Sequence, residues 1–121
     1  MSETDVSRLI KSALGLFPGV KLERQQSGKV RVRGGFMNLA EAGSADLVGC
    51  VLCHAGAKQI GRYFALEIKK PGGRTSPERA MAQSKWRAEI AACGGYSAQV
   101  SSVEEAIKAL QSCRRLEPRR I

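Results

Sequence analysis

The stretch Phe64-Ala65-Leu66-Glu67-Ile68-Lys69-Lys70 alternates in character: in an extended strand Phe64, Leu66 and Ile68 share one face and Ala65, Glu67 and Lys69 the other. An apolar row is thus aimed at a core, while a carboxylate and an ammonium project together into the same space. By itself such a pair also reads as a solvent-facing ion pair, worth under about 1 kcal/mol. The upstream strand changes its meaning. Asp46 stands at the mouth of an apolar run (Leu47, Val48, Val51, Leu52) and directly follows Gly43-Ser44-Ala45, a flexible entry. A carboxylate at the end of a buried strand is costly unless it has a partner. If strands at about 45–53 and 60–69 pair, Asp46 and Glu67 converge with the Ile68 carbonyl on a hard cation such as Mg²⁺, which prefers oxygen ligands. The expected chemistry is phosphodiester hydrolysis, with Lys69 orienting a water or offsetting charge in the transition state.

Outward from these strands, Pro71-Gly72-Gly73 ends the second one, and Ser76-Pro77 opens a helix that runs to Gly94-Gly95. YSAQV (96–100) reads as a short strand, and Ser102-Val103-Glu104-Glu105 as a capping box before a helix with Val103, Ala106, Ile107 and Leu110 buried. Upstream, Val6, Leu9, Ile10, Ala13 and Leu14 mark one face of a helix over about 3–16, with Ser2 and Asp5 as a capping pair. VKLERQ and KVRVRG, separated by Ser27-Gly28, read as a hairpin, and residues 34–44 as a loop. The expected order is α-β-β-β-β-α-β-α: an α/β fold with a mixed central sheet flanked by helices, a single domain over 1–113 and a basic C-terminal tail over 114–121. The segment from the 60–69 strand through the helix to YSAQV is expected to be a parallel crossover.

Within 121 residues, 43% hydrophobic and 26% charged, a core can be buried, so collagen-like and wholly disordered classes are excluded. No apolar run approaches the roughly 20 residues that span a bilayer, and the polar start MSETDVSRLIK is unlike a secretory leader, so the expected place of action is the cytoplasm, with no membrane partner. Twenty Lys and Arg against eleven Asp and Glu give a net charge of +9, which favours polyanion capture and makes nucleic acid the expected partner.

The four cysteines are expected to be reduced. Cys50-Val51-Leu52-Cys53-His54 matches the C-x-x-C-H pattern of haem attachment and, with Cys93, invites a zinc reading. In a strand, however, Cys50 and Cys53 point to opposite faces and cannot grip one metal or porphyrin, so neither haem nor structural zinc is expected. A redox or metal protein built on these residues remains a distinct alternative class.

The ordered set Gly43-Ser44-Ala45-Asp46, Glu67-Ile68-Lys69, a Gly-rich turn, Ser76-Pro77 and Gln83-Ser84-Lys85-Trp86 before Gly94-Gly95 resembles the PD-(D/E)XK nuclease superfamily, and specifically the small stand-alone VRR-NUC domains of phages and bacteria. Glu3-x-x-Val6 with Leu9-Ile10 is similar to the family's leading acidic helix and Arg24-x-x-Ser27-Gly28 to its basic hairpin, so the resemblance covers nearly the whole chain. It implies a restriction-endonuclease-like core, with Asp46 and Glu67 ligating Mg²⁺ or Mn²⁺, Lys69 assisting the attacking water and Gln83 lining the site. Glu3 would be a further acidic member, with Asp5 as its competitor. Two departures stand out: the stretch from Lys69 to Gln83 is longer by about one helical turn, and no Val-Arg-Arg tripeptide is present. Arg24, Arg31, Arg33, Arg74 and Arg79 are candidate phosphate contacts. Trp86 reads as core rather than as a base-stacking platform. By the same resemblance the protein would be a homodimeric, structure-selective DNA endonuclease acting on branched DNA such as Holliday junctions. The alternative is a non-catalytic DNA-binding or phage assembly protein with the same fold.

Overall fold

A computed structural model of the chain describes residues 2–25, 29–38 and 43–115. It contains α1 (Glu3–Leu14), β1 (Val20–Arg24), β2 (Lys29–Val32), β3 (Gly35–Asn38), β4 (Leu47–Ala55), β5 (Lys58–Ile68), α2 (Pro77–Ala92), β6 (Tyr96–Val100) and α3 (Val103–Arg114). The result is a mixed α/β fold: a four-stranded sheet in the order β1-β4-β5-β6 with three helices, and a separate β2-β3 ribbon. β4 runs antiparallel to both β1 and β5, and β6 joins β5 in parallel, as a strand-helix-strand crossover through α2 requires. Among the described residues no helix is long and apolar enough to cross a membrane.

Local chemistry sets the helix starts. Ser2 caps α1 in a reciprocal box: its hydroxyl accepts from Asp5 N–H (3.2 Å), and the Asp5 carboxylate accepts from Ser2 N–H (3.1 Å). Ser76 caps α2 ahead of Pro77, its hydroxyl accepting from Arg79 N–H (3.2 Å). Ser102 does the same for α3 through Glu105 N–H (3.1 Å).

Four expectations need correction. β1 does not form a hairpin with β2; it pairs with β4, Val20 opposite Val51 through Arg24 opposite Leu47. The proposed turn at Ser27-Gly28 lies outside the described residues. β2 pairs instead with β3, so part of the expected 34–44 loop is a strand and the order gains one β element. β1 goes to β4 because that pairing completes a sheet whose face buries Leu22, whereas a local ribbon offers no such face. The β4-β5 connection is also tighter than expected, only Gly56-Ala57, with Gly56 at φ +64° making the turn. Finally, α3 includes Arg114, so the supposed tail starts inside a helix, and residues 116–121 of it lie outside the described region.

The sheet separates two unlike layers. One face, under α1 and α3, packs Ile10, Leu14, Leu47, Val51, Phe64, Leu66, Ile68 and Leu110, all at most 2% exposed. The other, under α2, has a small cluster of Ala45, Ala65 and Trp86 with Val48 and Ile90 against it. Trp86 is core, as its helical position predicts. The expected alternation in β5 is therefore seen: Phe64, Leu66 and Ile68 enter the large core and Ala65 the small one.

Candidate active site

Asp46 is fixed by backbone on both sides of β4. Gln25 N–H donates to its carbonyl (2.8 Å), and its own N–H donates to Leu66 O (3.1 Å) on β5. Its side chain crosses to the same strand, where Oδ2 accepts the Ile68 N–H at 2.7 Å. Asp46 is thus tied to the Glu67-Ile68-Lys69 segment by a direct bond to the Ile68 amide, whereas the expectation was a cation shared by Asp46, Glu67 and the Ile68 carbonyl. What reaches Asp46 in this structure is the Ile68 amide, and Ile68 also lines the adjoining cavity.

Glu67 is buried, a carboxylate only 4% exposed. Gln83 Nε2 donates to its Oε1 at 3.0 Å, and Lys69 Nζ stands 3.6 Å from the same oxygen. Burial pushes the Glu67 carboxyl up from 4.5 to about 7, and the negative charge of Asp46 adds to the rise. Lys69 and Arg79 pull the other way without cancelling it. A desolvated carboxyl raised by burial and by a neighbouring negative charge is the kind of group found at functional sites.

Gln83 is the family-derived member most dependent on tertiary structure. It is 4% exposed and faces the sheet, one turn before Trp86. Gly43 explains how the loop before Asp46 fits beneath this helix. Its φ is +82°, and a Cβ there would lie 2.3 Å from the Ala82 carbonyl and 2.7 Å from Gln83 N. Only glycine combines that backbone with that approach.

A cavity of about 200 Å³ adjoins Asp46, lined by Glu3, Thr4 and Ser7 of α1, Arg24 at the end of β1, Ile68, and Arg79 in the first turn of α2. This separates the two acidic candidates of α1: Glu3 lines the cavity and accepts from Lys70 N–H (3.4 Å), whereas Asp5 is occupied in the cap, its carboxyl held below 3.8 by the Ser2 hydrogen bonds. Thr4 and Ser7 were missed in the sequence. Their signal is a polar stripe, Glu3, Thr4 and Ser7 at i, i+1 and i+4, running beside the apolar one.

Of the five candidate phosphate contacts, Arg24 and Arg79 line the cavity, while Arg31, Arg33 and Arg74 are exposed and do not. Among the described residues no three of His, Cys, Asp and Glu stand together as a metal cluster. The acidic pair Asp46 and Glu67 therefore offers two protein carboxylates, an all-oxygen donor set that suits Mg²⁺ or Mn²⁺ with water filling other positions. Cys53 is fully buried, its thiol donating to Cys113 O (3.4 Å), while Cys50 is exposed on the opposite face. All four cysteines are free.

In comparisons with known proteins, no family model matches this chain, and no curated protein or solved structure matches it either.

Proposed function

We propose that the protein is a divalent-metal-dependent endonuclease that hydrolyses DNA phosphodiester bonds, similar to the stand-alone VRR-NUC domains of the PD-(D/E)XK superfamily and selective for branched DNA such as a four-way junction. The observation that carries this reading is the convergence of Asp46, buried Glu67 and Lys69 at the shared end of β4 and β5, with Gln83 of α2 bonded to Glu67. A sheet whose β5 and β6 are linked in parallel through α2 supports a restriction-endonuclease-like core.

Asp46 and Glu67 would hold Mg²⁺ or Mn²⁺, with the Ile68 carbonyl as a further oxygen donor. When bound, such a cation polarises phosphoryl oxygens and lowers the pKa of a coordinated water. Gln83 leaves one Glu67 oxygen for a ligand by occupying the other. Lys69, with its side chain 12% exposed, is placed to orient the attacking water and to offset charge building on phosphorus. Arg24 and Arg79 neutralise backbone phosphates at the cavity, and exposed Arg31, Arg33 and Arg74 extend the basic surface beyond it. Glu3 fixes the Lys70 backbone at the rim. A C2 homodimer would present two such sites to symmetrically placed strands. Four free thiols suit the reducing cytoplasm of a bacterial or phage-infected cell.

The test incubates labelled four-way junction, flap, single-stranded and linear duplex DNA with wild type, Asp46→Ala and Lys69→Ala in Mg²⁺, Mn²⁺ or EDTA. The expected outcome is metal-dependent cleavage favouring the junction, reduced at least about 10²-fold in both variants while binding persists. Tight binding without cutting under every condition would assign the non-catalytic DNA-binding alternative.

A further inference from the structure

A second cavity, about 440 Å³, lies on the other side of the α1 N-terminal half from the acidic site. Val6 and Leu9 of α1, Pro71 after β5 and Val103 of α3 provide an apolar lining. Ser101 and Ser102 add hydroxyls, and Lys70 is its single charged lining residue. Lys70 also connects the two cavities, since its backbone N–H is bound by Glu3, which lines the first. Glu3 lines the first cavity and Val6, one turn further along α1, lines the second.

The chemistry of this pocket does not suit a phosphate. Its surface is mainly aliphatic, and at the serine end the Glu105 carboxylate already accepts the Ser101 N–H at 2.7 Å, a charge that would repel an anion. It suits a mostly apolar body that carries a few polar atoms. The volume falls within the range of small-ligand pockets. The Ser102 hydroxyl accepts from Glu105 N–H and keeps its own proton to donate. Leu9, 49% exposed, is an aliphatic surface that a lone folded chain leaves in water.

We propose that this pocket receives an unstacked nucleobase of the DNA held at the neighbouring site, with Lys70 contacting the adjoining phosphate. The inference rests on the nuclease reading and deepens it. Drawing a base out of a duplex costs a few kcal/mol and least where the base is already unpaired, so the pocket would supply selectivity for branch points without reading sequence.

The test has two arms. In EDTA, wild-type protein is titrated with four-way junctions carrying one abasic nucleotide, moved position by position through the branch. One position is expected to weaken binding about tenfold, with its neighbours near unity. Leu9→Trp, at a half-exposed position, fills the pocket; it is expected to weaken binding of the intact junction to a similar degree and to make binding indifferent to the abasic position. In parallel, cleavage is followed in Mg²⁺. A flat abasic scan from a protein that cleaves overturns the base pocket and leaves the nuclease reading standing. A position-specific loss without cleavage under any metal keeps base capture and overturns the nuclease reading. A flat scan accompanied by a change in sedimentation of Leu9→Trp overturns the proposal in favour of a second copy of the chain as occupant.

Discussion

The two faces of β5 do opposite things with adjacent residues. Leu66 and Ile68 enter a core that α1 and α3 close with Ile10, Leu14 and Leu110, while Glu67, between them, enters a thin layer under α2 made of Ala45, Ala65 and Trp86 with Val48 and Ile90 against them, beside the polar Gln83. The first face gains free energy from area removed from water. The second gives some of it back by burying a carboxylate beside another. A strand places these environments about 3.3 Å apart along the chain, so a rigid scaffold reaches directly to the candidate site.

The sharpest separation of the faces is a pair of truncations. Phe64→Ala removes a fully buried ring stacked on Tyr96 at 5.9 Å and should cost about 3–5 kcal/mol in chemical denaturation. Gly43→Ala should cost less, about 2–4 kcal/mol, through a left-handed backbone and a clash with α2. It should nevertheless abolish cleavage at temperatures where the variant is folded, because the displaced atoms belong to Ala82 and Gln83. Retained activity in folded Gly43→Ala would show that Gln83 need not be held against Glu67.

The same contrast explains which features were legible in the sequence. The alternation of Phe64 through Lys69 is local, and it correctly separated Glu67 and Lys69 from the core row. Gln83 followed only from the family resemblance, because α2 has a weak apolar stripe and buries just Gln83 and Trp86 fully. The partner of β1 was not legible: Ser27-Gly28 offers a local turn signal, whereas pairing with β4 is set by a long-range register. β3 was missed although Gly34, at positive φ, marks the Arg33-Gly34 turn before it. Leu9, on the apolar face that the spacing of α1 marks, is half exposed, because that apolar arc is wider than the sheet and α3 cover.

A smaller effect, opposite in sign, tests the acidic face. Folded Glu67 keeps its proton up to about pH 7 and the unfolded chain releases it near 4.5, so between these values the folded state binds more protons and stability falls as pH rises. The metal-free protein should lose roughly 1–3 kcal/mol across that window. Glu67→Gln should remove the slope and be more stable than wild type at pH 8 by a similar amount, yet inactive. Because a metal ion must displace that proton, Mg²⁺ or Mn²⁺ titrations followed by thermal shift should weaken as pH falls through 7. A pH-independent Tm in metal-free wild type would mean that Glu67 titrates normally and that the two faces differ less than their burial suggests.

The smallest expected effect lies on β4, where two cysteines repeat the comparison without the charge. Cys53 is fully buried in the large core and its thiol points to the Cys113 carbonyl, so Cys53→Ser, which buries a more polar group, should cost about 1–2 kcal/mol. Cys50, exposed opposite Tyr63, should change by under about 0.5 kcal/mol as Cys50→Ser. A haem or metal held by Cys50, Cys53 and His54 would instead make the two substitutions equivalent, since each would remove one ligand from the same centre. The strand opposes that equivalence, because four residues of extended chain separate His54 from Cys50 by roughly 13 Å and Cys53 faces the other way. Equal losses of stability in the two variants, together with stoichiometric metal in the wild type, would therefore require β4 to bend sharply between Cys50 and Cys53 and would break its register with β5.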